Sequence, residues 1–433
     1  MKVAIIGLGY IGLPTAIIAA QAGLEVFGFD IDKEKIKKIN NGDPVIQEKE
    51  IYERLNDVIK NKKLIAKSEL EVADVFLISV PTPFTDEKKA DLSYVYSACD
   101  SIANVFKKND LVILESTVPV GTTEKISKYL SDNTNLIAGQ DFFVAHCPER
   151  VLPGNIFFEL INNSRIIGGI NQESVELAKK FYEKFVISEM YCTDAPTAEI
   201  VKLIENSYRD VCIAFAHQVA EMARSINLNP YEIINLANKH PRVKILNPTC
   251  GVGGHCIAVD PWFLIETFEN SDLLKQARSV NDRQPKYVIQ KINREIELFN
   301  LNNNKKPNVI ICGVSYKPDI DDLRESPALR ITQEIDKQKN CKLFVCEPNV
   351  SKNVLENFGL NSIDLKLVFE HADILVCLVG HKQFKLCKDE FIKFNKFLDF
   401  CGISYKEAPI GNFSTNYFLA GHKNSSLTYG KFE

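Results

Sequence analysis

Cys256 lies in the run Asn247 to Trp262, NPTCGVGGHCIAVDPW, with the carboxylate of Asp260 four residues further on. A thiolate adds readily to a carbonyl carbon, and a carboxylate beside it can carry the proton that such an addition moves. Gly251, Gly253 and Gly254 let backbone and ligand approach closely around that thiol. The turn GLGYIG, from Gly7 to Gly12 with Tyr10 and Ile11 inside it, is of the kind that holds a dinucleotide. A nicotinamide cofactor takes a hydride from an alcohol, and an aldehyde held on a thiol can release a second one. The two motifs together point to an oxidation that runs from alcohol to acid; neither alone supports it.

Other groups could join this chemistry, and each also has a plainer reading. Lys202 and Asn206 stand four residues apart on one face of a helical segment, where a cation and an amide could hold an oxyanion. Such a pair is also what an ordinary solvated helix face presents. Glu149, in CPERVLPG after a strand-like run, could activate water or be a simple loop carboxylate. A cysteine in a loop is more often inert than nucleophilic, since reactivity needs access and a lowered pKa. His255 adjoins Cys256, but neighbouring side chains in extended backbone point apart, so a structural histidine is the expectation there.

The elements around the glycine turn are those a dinucleotide site requires. KVAII (2–6) is a strand, a helix runs from Leu13 to Ala22 with Pro14 near its start, and EVFGFD ends on Asp30. Gly7 permits the turn, Gly9 the approach to a pyrophosphate, and Gly12 close helix–strand packing. Asp30 would accept from a ribose 2′-hydroxyl and repel a 2′-phosphate, which favours NAD over NADP. VPTP (80–83) and ESTVPVG (115–121) follow later strands where ligands of such sheets bind, or are ordinary proline-marked loops.

Strand-sized apolar runs continue at 74–80, 111–116, 142–147 and 165–169, separated by helix-length polar segments, the pattern of an open parallel sheet. From Thr197 to Ile226 the period changes. Ile200, Ile204, Tyr208, Val211, Phe215, Val219, Met222 and Ile226 recur at threes and fours, so one long amphipathic helix is predicted, a spine and a dimer contact. Helix continues to about Asn300, broken by the cysteine loop, and NLNNNKKPN (300–308) reads as a linker. A second strand–helix–strand series follows at 309–314, 326–335, 342–347 and 373–379, without a GxGxxG and similar to the first only in architecture. The expected fold is α/β: two doubly wound Rossmann-like domains, 1–193 and 301–433, joined by a central helical domain, 194–300. The last dozen residues, from His422, are polar and expected to be loosely held.

With 433 residues, 45% hydrophobic and 25% charged, the chain has globular composition, and its net charge of −4 gives no electrostatic case for nucleic acid or membrane. The start MKVAIIGLGY lacks a basic n-region and a cleavage signal, so it reads as mature cytoplasmic sequence. Twelve cysteines without a C-x-x-C spacing read as reduced thiols, with no metal site expected.

These motifs, in this order, resemble the UDP-sugar 6-dehydrogenases, NAD-dependent four-electron oxidoreductases of the UDP-glucose/GDP-mannose dehydrogenase superfamily. The resemblance covers nearly the whole chain, from GLGYIG to DILVCLVGH. CPERVLPG, VKLIENSYRDVCIAFA, HPRV and GVGGHCIAVDPWF are most similar to the branch that oxidises UDP-N-acetyl-D-mannosamine. The resemblance implies that Cys256 is the nucleophile, that Lys202 and Asn206 steady the oxyanion, and that Asp260 assists proton transfer, with Thr117 and Glu149 handling the hydrolytic water. It implies NAD contacts at Gly7, Gly9, Tyr10, Ile11, Gly12, Asp30, Thr82, Thr117 and Arg324. It implies substrate contacts at Glu149, Arg150, Val151, Lys202, Asn206, Gly253 and Lys317, and at Arg242 reaching a neighbouring subunit's site in a homodimer or larger assembly. Departures from the UDP-glucose branch are Pro153 in place of a second glutamate and Val259 in place of a lysine, which fit a pocket admitting an N-acetyl group. UDP-N-acetylglucosamine and UDP-glucose are the alternative sugars. A two-electron β-hydroxyacid dehydrogenase would need neither Cys256 nor the second α/β unit, and a module that only binds NAD or a nucleotide sugar would not need the catalytic set.

Overall fold

A computed structural model describes residues 1–46, 48, 50–85, 87–151, 154–254 and 256–405. Pro153, His255 and the C-terminal stretch from His422 lie outside the described residues. Eight strands form the first sheet: β1 (Lys2–Ile6), β2 (Glu25–Phe29), β3 (Leu64–Lys67), β4 (Val75–Ile78), β5 (Leu111–Leu114), β6 (Phe143–His146), β7 (Arg165–Gly169) and β8 (Met190–Asp194). Their order is β3-β2-β1-β4-β5-β6-β7-β8. VFLI, LVIL and FVAH are buried along their whole length, because helices cover both faces of the sheet. The order reverses between β1 and β4, and a crevice opens beyond the carboxyl ends of those strands, where the turn 7–12 lies.

The sheet departs from the wholly parallel expectation at one pair. β6 meets β7 antiparallel, with Ala145 opposite Gly169 and His146 opposite Gly168. Between them runs CPERVLPG and the short helix Ile156–Asn162, with no long crossover to bring the chain back to the starting end. β3 and β8 have no counterpart in the sequence pattern. LIAK is half exposed, and MYCTD is an edge strand with Tyr191 and Cys192 in solvent, so neither shows an apolar run.

The spine helix runs Ala195–Ser225; Asp194 caps it by accepting the Thr197 N–H at 2.8 Å, and Pro196 sits in its first turn. Most of its periodic apolar stripe faces outward, contrary to the usual sense of such a pattern, while Val219 is buried and Ile200 packs on a small core cluster. Ile204, Tyr208, Phe215, Met222 and Ile226 are 50–71% exposed, while Glu199, Ser207, Asp210 and His217 are buried. The inward side packs on the long helix Asp272–Asn303 through polar groups. Arg278 meets Asp210 at 2.6 Å, Asn281 donates to Asp210 Oδ1 at 2.7 Å, and His217 meets Asn281 at 2.9 Å.

That long helix runs through half of the segment read as a linker, so only 304–307 separate it from the next strand. The second sheet, β9 (Asn308–Cys312), β10 (Lys342–Cys346), β11 (Ile374–Cys377) and β12 (Phe397–Asp399), is parallel in the order β10-β9-β11-β12. It shares more with the first than architecture. Gly7 N–H donates to Phe29 O and Leu8 N–H to Asp30 Oδ2; Gly313 N–H likewise donates to Cys346 O and Val314 N–H to Glu347 Oε2. Among the described residues no helix is long and apolar enough to cross a membrane.

Candidate active site

The glycines of the first turn answer different needs. A Cβ on Gly7, at φ +93°, would lie 2.4 Å from Ser79 O, and one on Gly12 would lie 1.9 Å from Gly7 O. Gly9 has no heavy atom within 4 Å of that position, so the chain itself leaves the space open. The helix Gly12–Gln21 starts at Ile11 with neither a side-chain cap nor an acidic residue in its first turn, so its positive dipole end faces the crevice unneutralised, although the Leu13 and Thr15 N–H groups already bond to Gly9 O and Ile11 O. Asp30 stands at the end of β2, where its carboxylate accepts from Leu8 N–H (2.9 Å), Asp32 N–H (3.0 Å) and Lys35 Nζ (2.8 Å). An open cradle, an uncapped helix start and a carboxylate at the ribose position fit NAD.

The loops after β4 and β5 are joined across the crevice. Ser116 Oγ accepts from Val80 N–H at 2.9 Å and donates to Val80 O at 2.7 Å, and Thr82 Oγ1 donates to Thr117 O at 2.6 Å. Buried Glu199 ties the same region to the spine helix by accepting the Gly121 and Thr123 N–H groups at 2.5 and 2.7 Å. Lys202 and Asn206 follow one and two turns later on that helix.

The cysteine loop closes onto the helix Asp260–Thr267, with the N–H groups of Val259 and Asp260 both donating to Cys256 O. That turn puts Asp260 at the first helical position beneath the thiol. Asn206 Nδ2 donates to Asp260 Oδ2 at 2.5 Å, across 54 residues of sequence. Burial lifts Asp260 to about 6, against the opposing pull of Asn206 and Lys202. Cys256 is exposed in the cleft, yet its thiol is pushed up to about 11, first by desolvation and then by Asp260, with Lys202 and Arg324 pulling down. The lowered pKa that marks a resting thiolate is therefore not found here: the thiol keeps its proton, first because it is desolvated and then because Asp260 stands beside it.

A polar chain from buried His217 and Gln284 to exposed Thr249 braces this loop. His217 reaches Thr249 Oγ1 at 3.2 Å, Gln284 donates to Thr249 O at 2.9 Å, and Thr249 Oγ1 donates to Gly251 O at 2.8 Å. Desolvation holds His217 at about 4, so it acts as a neutral linker. The second α/β unit closes the other side. A Cβ on Gly253 would meet Pro327 Cδ at 2.4 Å and Glu325 O at 2.6 Å, which leaves no room for any other residue there.

Beyond β6, Glu149 Oε2 takes Arg165 Nη1 at 2.6 Å and Oε1 takes Arg150 N–H at 2.6 Å. Arg150 turns its guanidinium to Glu205 (2.9 Å) and to Ser164, and Val151 packs on the first core. Arg324 is held by both oxygens of Asp322 and lies near enough to Tyr10, Tyr316 and Cys256 to act on them electrostatically. Lys317 Nζ lies 5.7 Å from the Tyr316 ring centroid. Arg242 is on an exposed turn after the helix Pro230–Ala237, and no hydrogen bond or ion pair described for it reaches the cysteine loop.

Four functional neighbours escape sequence reasoning. Tyr316 faces both Cys256 and Tyr10, Glu48 accepts from Tyr10 and from Gly154 N–H (2.6 Å), and Arg165 and Glu115 stand behind Glu149. Only Tyr316 carried a signal, as the neighbour of Lys317 in GVSYKPDIDDLRES.

A dinucleotide turn facing a thiol, with a cation, an amide and a carboxylate around it, is the equipment of an NAD-dependent dehydrogenase. Three consecutive family models match, all from the UDP-glucose/GDP-mannose dehydrogenase family: its NAD binding domain over residues 1–186, its central domain over 196–283 and its UDP binding domain over 310–403. The chain is 45% identical over 395 residues, 90% of its length and 87% of the relative's, to a UDP-N-acetyl-D-mannosamine dehydrogenase of Methanococcus aeolicus. It is 44% identical, over 88% of its length and 91% of the relative's, to an NDP-N-acetyl-D-galactosaminuronic acid dehydrogenase of Ralstonia nicotianae. A solved UDP-D-ManNAc dehydrogenase from Pyrococcus horikoshii superposes with a TM-score of 0.84 at 41% identity, covering 95% of this chain and 97% of that one. The chain belongs to the UDP-glucose/GDP-mannose dehydrogenase family.

Proposed function

We propose that this chain oxidises C6 of UDP-N-acetyl-D-mannosamine to the uronate in two NAD-dependent steps linked by a covalent adduct on Cys256. The observation that carries the reading is the convergence of Cys256, Asp260, Asn206 and Lys202 on one cleft from segments 54 residues apart. NAD, bound at Gly7–Gly12 and Asp30, supplies the hydride acceptor for both oxidations. Asp260, ionised at neutral pH, takes the proton of the C6 hydroxyl as the aldehyde forms. The Cys256 thiol then adds to the aldehyde carbon, and the C–S bond forms as the C=O double bond opens. Lys202 and Asn206 steady the oxygen as it gains charge, and the thiol proton ends on that oxygen, to be lost again with the second hydride. Loss of the second hydride leaves a thioester on Cys256. Water, oriented by Glu149 and Thr117, attacks the thioester; the C–S bond breaks, the acid leaves and the thiol is restored. One alcohol, one water and two NAD⁺ thus yield one carboxylate, two NADH and three protons.

The exposed stripe on the spine helix supports a homodimer, and exposed Arg242 would reach the neighbouring cleft across it. The expected setting is the cytoplasm, and the product a precursor for surface polysaccharide. The galactosaminuronate relative keeps a second sugar configuration in play. The deciding experiment is NADH formed per mole of UDP-N-acetyl-D-mannosamine, run to completion in excess NAD. Two equivalents are expected from the wild type, and one equivalent would remove the covalent role of Cys256. Faster turnover of the galacto-configured or gluco-configured N-acetyl sugar would reassign the substrate. Cys256→Ser should stall after the first oxidation.

A further inference from the structure

Glu149 and two ionisable side chains behind it are sealed from solvent. Arg165 Nη1 lies 2.6 Å from Glu149 Oε2 and 3.8 Å from Glu115 Oε1, with side chains 3%, 9% and 0% exposed. Arg165 Nη2 also donates to Leu160 O at 3.2 Å, and its guanidinium lies 5.0 Å from the Tyr182 ring centroid, so its position is set from several sides. Glu115, just past β5, is faced by Glu149 and Cys147 from beyond β6, by Arg165 on β7, by Ser79 beyond β4, and by Tyr182, whose Oη lies 3.4 Å away. Arg165 is the only cation among these groups.

We propose that Arg165 and Glu115 are positioning residues for Glu149: the guanidinium fixes the Glu149 carboxylate, and a proton held on Glu115 keeps the guanidinium there. This rests on the reading of Glu149 as the residue that orients the hydrolytic water. The argument is one of charge counting in a dry pocket. One guanidinium can balance one carboxylate, and a second ionised carboxylate there would be uncompensated. Glu149 holds the short contact, so Glu115, farther from the cation and sealed from water beside a charged Glu149, keeps its proton even though the Tyr182 and Ser79 hydroxyls favour its ionised form. Burial and the Glu149 charge push Glu115 up to about 8. As it ionises, it competes for Arg165, and Glu149 loses its fixed orientation toward water. Hydrolysis then slows on the alkaline side, while the oxidations at Cys256 and Asp260 do not depend on Glu115.

The test separates hydrolysis from oxidation. Enzyme is loaded with radiolabelled UDP-N-acetyl-D-mannosamine and excess NAD, and acid-stable protein-bound label is chased from about pH 6.5 to about 9.5. Label decay in the wild type should slow through an inflection near 8, and Glu115→Gln should abolish that inflection while decaying near the wild-type rate at neutral pH. Arg165→Lys, which loses the fork that holds Glu149, should slow decay about 100-fold, the cost of a misplaced catalytic group. An inflection retained in Glu115→Gln overturns the proposal. So does a wild-type profile flat across the range, which needs no variant to fold. The underlying reading fails separately: Glu149→Gln that decays as fast as wild type removes Glu149 from hydrolysis, and absence of bound label removes the thioester.

Discussion

Gly9 and Gly12 stand three residues apart in one turn, and replacing each by alanine should have opposite consequences. At Gly12 the added methyl would sit 1.9 Å from Gly7 O, a backbone atom in a buried turn that cannot swing aside. Overpacking of that kind costs about 1–3 kcal/mol or more, and each kcal/mol lowers Tm by about 2–4 °C in a domain of this size. At Gly9 the methyl meets nothing within 4 Å, and the backbone there is outside the left-handed region. Gly9→Ala should be neutral or stabilise by about 0.4–1 kcal/mol through the unfolded chain. The open space is the approach path for the pyrophosphate, so Gly9→Ala should weaken NADH binding by at least about tenfold, or about 1.4 kcal/mol. Thermal melts with and without NADH separate the two effects. Wild type at 100 times its Kd gains about 2.7 kcal/mol. Gly9→Ala should melt like wild type without NADH and lose about half of that gain or more. A Gly9→Ala protein that binds NADH normally, or a Gly12→Ala protein as stable as Gly9→Ala, would refute the reasoning.

Asp260→Asn should be inactive yet more stable at neutral pH. A carboxyl lifted from its ordinary 3.8 to about 6 opposes folding once ionised, by an amount that is absent below about pH 4 and levels off above 6 at about 3 kcal/mol. Urea melts at pH 5 and pH 8 should show the variant's advantage growing with pH, and wild-type kcat/KM should fall as pH drops below about 6. Arg278→Ala leaves Asp210, 1% exposed, as an uncompensated buried charge and should cost about 3–5 kcal/mol, read by chemical denaturation; a loss below 1 kcal/mol would mean that water reaches the site. Tyr208→Glu with Phe215→Glu should prevent the proposed homodimer without unfolding the chain, because both side chains are exposed in the single protomer. Light scattering that still reports the wild-type mass would move the interface elsewhere.

Much of the scaffold was legible because its signals are local. The glycine turn, the strand runs and the spine helix are each set by spacing within a dozen residues. Their exact partners were not: β3 and β8 have weak patterns, and the antiparallel meeting of β6 and β7 depends on how 147–164 folds. The spine helix shows the limit of periodicity most clearly. Its apolar stripe was correctly spaced, but amphipathic spacing does not say which side faces the protein. Here Asp210 and His217 turn inward because Arg278, Asn281 and Thr249 satisfy them. A buried polar group is tolerated where its partners are, and those partners come from 32 to 71 residues away.

The same division runs through the site. Sequence by itself determined the dinucleotide turn, the Cys256–Asp260 spacing and the shared face of Lys202 and Asn206, because backbone geometry places neighbours within a turn or two. Tertiary structure alone decided that Asn206 grips Asp260, that Tyr316 and Arg324 arrive beside Cys256, and that Arg165 locks Glu149 against a buried Glu115. It also decided that the resting thiol lies high rather than low, since a pKa answers to every charge and the solvent around it, and those are supplied by chain segments far apart in sequence.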